Sequence, residues 1–567
     1  MRDDRYRLAL VLITLLVAAS SACWALLTPA FRAPDEAKHL NSTLRLAHGG
    51  GWPEPGDALV SPGVDQAWDE AAVDYDAPGR WWDRPEWGQY VAVVPPADSG
   101  RTVIGPGNGL IAPVPPGVDT SAWEAAEVDQ MTQHPPLYYA VAANWMHLTG
   151  TAVARWDQQI LALRLLDALL LLPVPALAAG AARLATGSRS IGLVAASFPL
   201  FVPQLGHIMG SITNDSLVVL TGAAAAYLCA RVVTGDLRWV TAVALGVVVG
   251  LGLFTKVMAA FTVPVVVLAY LLARPQGSIG MSASARWRWR RLGQAACVLG
   301  LAFAVGGWWW LRNLIEYGAV QPVGMPERFE PVEDRSLWRF AGAVLQSLTW
   351  TFFGNFGFYE VRLPKFAFWT AAAVVAVLCL VAFFRRGSRP ALLVLVMQPA
   401  LLWCAVVANA WATYNETGWV VAVQGRYMFG GIVGFAAGVA AGVWFLVTWL
   451  ARDRRSDDFR LEATASAWVL PAVVAAGATA AGSALLMGLG GFYRGPGEPL
   501  GVALERWAGW SPLTGAQLAV VLLGLAGLAV ATVVACIRYA RSVAATATAA
   551  PATARTPAPA ARITGSE

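Results

Sequence analysis

Charge is what this chain has least of. Asp, Glu, Lys and Arg make up 14% of its 567 residues, against 57% hydrophobic, where a soluble domain carries roughly 25% charged residues. That excludes an ordinary soluble globular protein, and a mean hydropathy of +0.52 places most of the chain in lipid. Lysine is scarcer still, with only Lys38, Lys256 and Lys365 beside many arginines, a bias that together with abundant Ala points to a GC-rich bacterial genome. The six cysteines (Cys23, Cys229, Cys297, Cys379, Cys404, Cys536) fall in apolar runs with no CxxC or Cys/His spacing. No disulfide frame or zinc site is therefore expected, and they read as small apolar core residues. No repeat of fixed period is present.

What is present is a succession of long apolar runs. A membrane-spanning helix needs about 20 mostly apolar residues. Runs of that kind occupy 8–28, 159–181, 191–210, 217–233, 239–254, 257–273, 292–311, 366–384, 390–410, 428–450, 464–490 and 514–537. The expectation is an all-α integral membrane protein of about twelve transmembrane helices. The first run is long and poor in a small-residue cleavage site, so it reads as an anchor. Lys and Arg set orientation by gathering on the cytoplasmic side. With the N-terminus inside, that side collects Arg2, Arg5, Arg7, the "RWRWRR" cluster (286–291), Arg385, Arg386, Arg389, Arg452, Arg454 and Arg455. The expected location is a bacterial plasma membrane, and the net charge of +5 is the remainder of two opposed populations rather than a sign of nucleic acid.

Residues 1–541 then form one polytopic domain, and the Ala/Thr/Pro-rich 542–567 a disordered cytoplasmic tail. Two outer loops are large, 29–158 and 312–365, and a shorter one covers 411–427. A connection as long as the first is functional or separately ordered. It carries helix-like pieces at both ends, and Trp81, Trp82 and Trp87 in its middle are candidates for stacking on sugar rings. Sequons at Asn41, Asn214 and Asn415 also fall outside, and in a bacterial chain they read as accidents.

Four outer features can carry chemistry. In "FRAPDEAKHL" (31–40) Asp35 and Glu36 follow the first span directly; they either cap an amphipathic helix lying on the membrane surface or face a substrate. "HPPLYY" (134–139) places His134 ahead of two prolines and Tyr138 at the mouth of the same loop. A cationic set comprises Arg312 in "WWWLRN", Arg426 in "QGRY", Lys256 in "FTKVM", and Arg164, spaced to pair with Asp167 on one helix face. Charges at such depth are functional candidates, and Arg matches phosphate bidentately. In "GSITNDS" (210–216), Asn214 and Asp215 suit a helix cap or a substrate contact.

This ordered set resembles GT-C type membrane glycosyltransferases, including protein O-mannosyltransferases and lipid A aminoarabinose transferases, in the acidic pair after the first span and the Pro-Pro-Leu-Tyr segment. It is more specifically similar to the bacterial membrane family named domain of unknown function 2142, on residues 34–39, 134–139, 214–215, 309–318 and 424–427. The long first loop and the lack of a large soluble domain after the last helix depart from that pattern and would leave acceptor recognition to the loops. The resemblance implies transfer of a sugar from a polyprenyl phosphate to a hydroxyl of an envelope glycan, lipid or protein. An attacking hydroxyl needs a base, which assigns Asp35, with Glu36 orienting the helix or the substrate. A phosphate leaving group needs cations more than an acid, which assigns Arg312 and Arg426 first, then Lys256, His134 and Arg164. His39, one turn after Asp35, Tyr138, Asn214 and Asp215 would contact substrate, and no metal or other cofactor is implied. Two competing readings are a flippase of lipid-linked glycans, which would show inverted halves, and a non-catalytic envelope-assembly scaffold.

Overall fold

A computed structural model describes residues 2–71, 101–106, 128–274, 281–322, 331–332, 335–450, 458–495 and 497–549. The tryptophans at 81, 82 and 87 lie outside the described residues. In lipid every backbone amide must find its partner within the protein, and helices satisfy that locally. Among the described residues, nine helices are long and apolar enough to cross a membrane: Asp3–Leu27, Trp156–Thr186, Asp215–Val233, Trp287–Tyr317, Lys365–Ala382, Arg386–Thr417, Gly425–Leu450, Ala467–Tyr493 and Gly515–Ala545. A tenth candidate is the pair Arg189–Phe201 and Pro203–Met209, bent by 72° where Pro203 has no amide to continue the ladder. Two further apolar helices, Trp239–Leu253 and Val257–Leu272, are shorter. The expected count of about twelve is thus reached only by including the bent pair and both short helices. The short ones are divided at Lys256, whose extended backbone (φ −159°, ψ 144°) no helix can contain.

The elements that shape the site are these. The first span, α1 (Arg2–Leu27), is followed by α2 (Glu36–Ala47), α3 (Pro62–Glu70), a 3-10 turn over Gln130–Gln133, and α4 (Leu137–Thr149). Then come α5 (Trp156–Leu171), α6 (Val174–Thr186), α7 (Arg189–Ser197), α8 (Pro203–Met209), α9 (Asp215–Val233) and α10 (Trp239–Leu253). Much of the bundle packs on one apolar core. A second core lies under the first loop, where Leu40, Leu44, Val64, Met131, Tyr138 and Trp156 meet Trp24 and Leu27 of α1 and Trp507.

That second core corrects the expected surface helix. Ten of the twelve α2 residues are buried, and several of its polar side chains bond to protein rather than to water. Asn41 Nδ2 and Ser42 Oγ donate to the Asp129 carboxylate at 2.6 and 2.8 Å, and Arg45 Nη2 donates to the Leu59 carbonyl at 2.9 Å. Asn41 and Asn214 are both fully buried, which rules them out as glycan acceptors in the folded chain. At the other edge, a two-stranded hairpin, β1 (Asn355–Phe356) with β2 (Val361–Arg362), hangs from α8. Asn355 N donates to Gln204 Oε1 at 2.7 Å and Gly357 N to His207 Nε2 at 3.1 Å. A buried Arg32–Glu360 ion pair ties the hairpin to the segment after α1. The last helix runs to Ala549, so 542–549 is helical where disorder was expected; the stretch is rich in Ala, the strongest helix former.

Candidate active site

The acidic pair splits. Asp35 precedes α2 in a left-handed conformation (φ 62°), and its side chain makes no cap bond to the helix. Its carboxylate points instead across the fold: Oδ2 accepts from Arg426 Nη2 at 2.7 Å, and Oδ1 from Gln130 Nε2 at 3.3 Å. Arg426 lies in the 3-10 turn Gly425–Gly431, which leads into the helix Ile432–Leu450. Its Nε stands 3.7 Å from Asp215 Oδ2. Asp215, the first residue of α9, takes Lys256 Nζ on its other oxygen at 2.6 Å, and Lys256 also donates to Asn214 Oδ1 at 3.3 Å. The Tyr427 ring lies between the two cations, 5.2 Å from Lys256 Nζ and 5.5 Å from the Arg426 guanidinium carbon. One network therefore joins Asp35, Arg426, Asp215, Lys256 and Asn214, drawn from four separate parts of the chain.

Polar capacity is left over inside it. Arg426 Nε, Asp215 Oδ2, Asn214 Nδ2 and His134 Nδ1 are buried without a hydrogen-bond partner. Buried polar atoms are normally paired, so each unpaired one calls for an explanation. The backbone is unusual at the same place. The non-glycine residues with left-handed backbone among those described are Phe31, Asp35, Tyr359 and Ala422. Two precede α2, one is in the hairpin turn, and one comes just before Gln424. Tyr359 hydrogen-bonds Gln424 and lies within electrostatic reach of Arg426 and Asp35. Such a backbone costs on the order of 1–3 kcal/mol per residue and gathers at functional sites.

Burial pushes the Asp35 carboxyl up, but the Arg426 charge and hydrogen bond, helped by His39 and Lys38, overrule it and hold the group at about 2. His39 goes the other way: burial pulls it down to about 3, so the ring is neutral. Its Nδ1 meets the Tyr139 hydroxyl at 3.0 Å, and the two rings stack. Burial also drives His134 well below its ordinary range, leaving two neutral imidazoles next to two cations.

Glu36 and Arg164 form a different unit. Arg164 donates from Nε and Nη2 to the two Glu36 oxygens at 2.7 and 2.6 Å, and from Nη1 and Nη2 to the carbonyls of Ala25, Thr28 and Pro29. Those carbonyls lie where α1 runs out, and a helix end leaves such groups without intrahelical partners. All five N–H donors of the guanidinium are committed. This corrects the expected Arg164–Asp167 pair. Asp167 instead accepts from Tyr138 Oη at 2.9 Å, Thr213 N at 2.9 Å and Ser216 Oγ at 2.7 Å, which clamps "HPPLYY" to the turn that presents Asn214 and Asp215. Of the two roles expected for Glu36, orienting the helix is the one its surroundings leave open.

Arg312 stands apart from the network. It pairs with Glu316 at 2.6 Å, approaches the Tyr317 hydroxyl at 3.3 Å and lies over the Trp309 ring, all within its own helix. Gln130, Tyr139, Tyr359 and Tyr427 belong to the site and were not singled out from sequence. Tyr139 and Tyr427 lie inside quoted motifs, whereas Tyr359 shows only through its backbone.

Among solved structures, the chain aligns with ArnT of Cupriavidus metallidurans, apo and bound to undecaprenyl phosphate, at 14% identity. Those alignments cover 94% of this chain and 76% of that one, with TM-scores of 0.43 and 0.42. It also aligns with the Saccharomyces cerevisiae protein O-mannosyltransferase Pmt1-Pmt2 complex bound to the sugar donor, at 18% identity over 33% of this chain and 27% of that one (TM-score 0.27). The oligosaccharyltransferase of Archaeoglobus fulgidus aligns at 12% identity over 65% and 48% (TM-score 0.35). Alignments at that level carry no functional weight. No curated protein matches. The profile of the predicted membrane protein family DUF2142 matches residues 19–434, a stretch that contains the whole network from Asp35 to Arg426. The chain belongs to that family.

Proposed function

We propose that this protein is a membrane glycosyltransferase that takes a sugar from a polyprenyl phosphate and passes it to an acceptor hydroxyl of the cell envelope, on the extracytoplasmic side of the membrane. The observation that carries the reading is the Asp35–Arg426–Asp215–Lys256 network. It sets a part-exposed carboxylate beside two nearly buried cations with hydrogen-bonding capacity left over. Arg164, by contrast, has all its donors paired and holds no cation near Asp35.

Asp35 takes the acceptor proton as the hydroxyl oxygen forms its bond to the anomeric carbon. The bond from that carbon to the phosphate oxygen breaks, and the phosphate leaves as an anion on Arg426 and Lys256. Asn214, Tyr139 and Tyr427 border the same space, His39 and His134 supply neutral ring nitrogens there, and Tyr138 holds the turn through Asp167. Arg312 is assigned no direct role in this scheme.

The test is donor discharge in nanodiscs. A panel of polyprenyl-phosphate sugars is offered with envelope acceptors, and release of free polyprenyl phosphate is followed for the parent and for Asp35→Asn. Discharge that is lost in Asp35→Asn is expected. No discharge from any donor, with lipid-linked glycan moving between leaflets, would replace the transferase by a flippase.

A further inference from the structure

The charges of the network already balance. Asp35 and Asp215 face Arg426 and Lys256, two against two, each pair at hydrogen-bond distance. Of the remaining titratable neighbours of Asp35, Lys38 adds a positive charge from the solvent side and the others add none. Lys38 is part-exposed, His39 and His134 are neutral, and the Tyr139 and Tyr359 phenols are held protonated by burial. A lipid phosphate brings at least one more negative charge into a place where an unpaired buried charge is heavily penalised. Something anionic must give way.

The two carboxylates are not equally able to do so. Asp215 is built into the first turn of α9, its side chain is 6% exposed, and it faces both cations. Asp35 is 29% exposed, lies outside the helix on a left-handed residue, and has one short bond, to Arg426, plus a longer one to Gln130. Arg426 meanwhile keeps Nε unbonded beside the Nη2 that holds Asp35. That edge of the guanidinium is the fork that receives two oxygens of one phosphate.

We propose that Asp35 is the resident anion of the phosphate site, and that an incoming polyprenyl phosphate exchanges with it on Arg426. The exchange frees the carboxylate to act as base. The proposal rests on the reading that the site takes a lipid phosphate. It also resolves a difficulty in that reading, because a carboxylate locked against a guanidinium is a poor proton acceptor. Once released beside a phosphate anion, Asp35 loses its cation and gains a negative neighbour, and both changes raise its basicity. The base is then switched on only when a donor is in place.

The experiment measures binding of undecaprenyl phosphate to the full-length protein in nanodiscs at one pH and one salt concentration, with no acceptor and no sugar. Asp35→Asn removes the competitor while keeping a residue that tolerates left-handed backbone; Asp35→Gly, which also takes it, guards against a folding artefact. Each change is made in the parent and in Arg426→Gln. The expected result is binding about tenfold tighter for both Asp35 variants in the parent, with the gain absent when Arg426 is Gln. An equal gain in both backgrounds would reduce Asp35 to a repulsive field and overturn the exchange. No gain, weaker binding, or no binding by the parent would overturn it as well. The outcomes separate from those of the transferase test. Coupled tightening without sugar transfer from any donor leaves the exchange standing and removes the enzyme, whereas transfer without tightening does the reverse.

Discussion

Asp35 and Glu36 are neighbours in the chain, both carboxylates, both facing an arginine, and the protein uses them in opposite ways. Glu36 is 1% exposed, and the Arg164 that faces it has no donor left. The pair closes the end of α1, fixes the start of α2, and offers a ligand nothing. Asp35 is part-exposed, and the Arg426 that faces it keeps a buried donor idle. Burial alone does not separate the two arginines, at 3% and 6% exposed. What separates them is the carboxylate each one faces, sealed in protein for Glu36 and 29% exposed for Asp35, together with the second cation, Lys256, with which Arg426 shares Asp215.

The largest effect is expected at Arg164. Arg164→Ala leaves Glu36 as an uncompensated buried charge, which costs about 3–5 kcal/mol; the expected outcome is a collapse in yield and thermal stability in detergent. If Arg164→Ala instead folds normally and loses only donor discharge, the two arginines have been assigned the wrong way round. Arg426→Ala should do the opposite, keeping the protein folded while lowering discharge by about 10²–10³-fold, the scale of one lost charge-stabilising contact.

Acidity sharpens the contrast further. His39 titrates near 3 when folded, against 6.5 in an unfolded chain. The unfolded state therefore binds more protons between those values, and stability falls as pH drops from 6.5 towards 3. Thermal melts across that range should show the loss, and His39→Gln should flatten it. The Asp35–Arg426 pair survives the same range, because a carboxyl held at about 2 contributes its stability fully above about 4 and gives it up only below. The smallest effect is expected at Arg312, whose exposed Glu316 pair is worth about 0.3–0.5 kcal/mol. Arg312→Ala should leave melting within error and discharge within about twofold of the parent.

Much of this was legible in the residues. Apolar runs mark the helices because lipid demands length and composition together, and all twelve expected runs are helical, although two are short and one is bent. The chemistry-bearing motifs were also visible, and Asp35, Arg426, Lys256, Asn214 and Asp215 do meet. Partnership was not visible. The three-residue spacing of Arg164 and Asp167 suggested a local pair, yet Arg164 reaches 128 positions back to Glu36 and Asp167 reaches 49 forward to Ser216. Helix-face spacing describes neighbours on an isolated helix, whereas a buried guanidinium goes wherever five acceptors can be found. Nor could the amphipathic pattern of α2 tell a water-facing polar side from one facing Asp129 and Tyr139. Tyr359 had no pattern at all, since a left-handed backbone leaves no periodicity to read.

The bond between Asp35 and Arg426 joins residues 391 positions apart, which fixes when the site can come into being. During synthesis Asp35 emerges just after the first span, but its partner is made only after several more spans have been inserted. Until then Asp35 has no Arg426 to pair with, and the cations of the network are incomplete. A polypeptide terminated before residue 426 lacks the guanidinium on which the network turns.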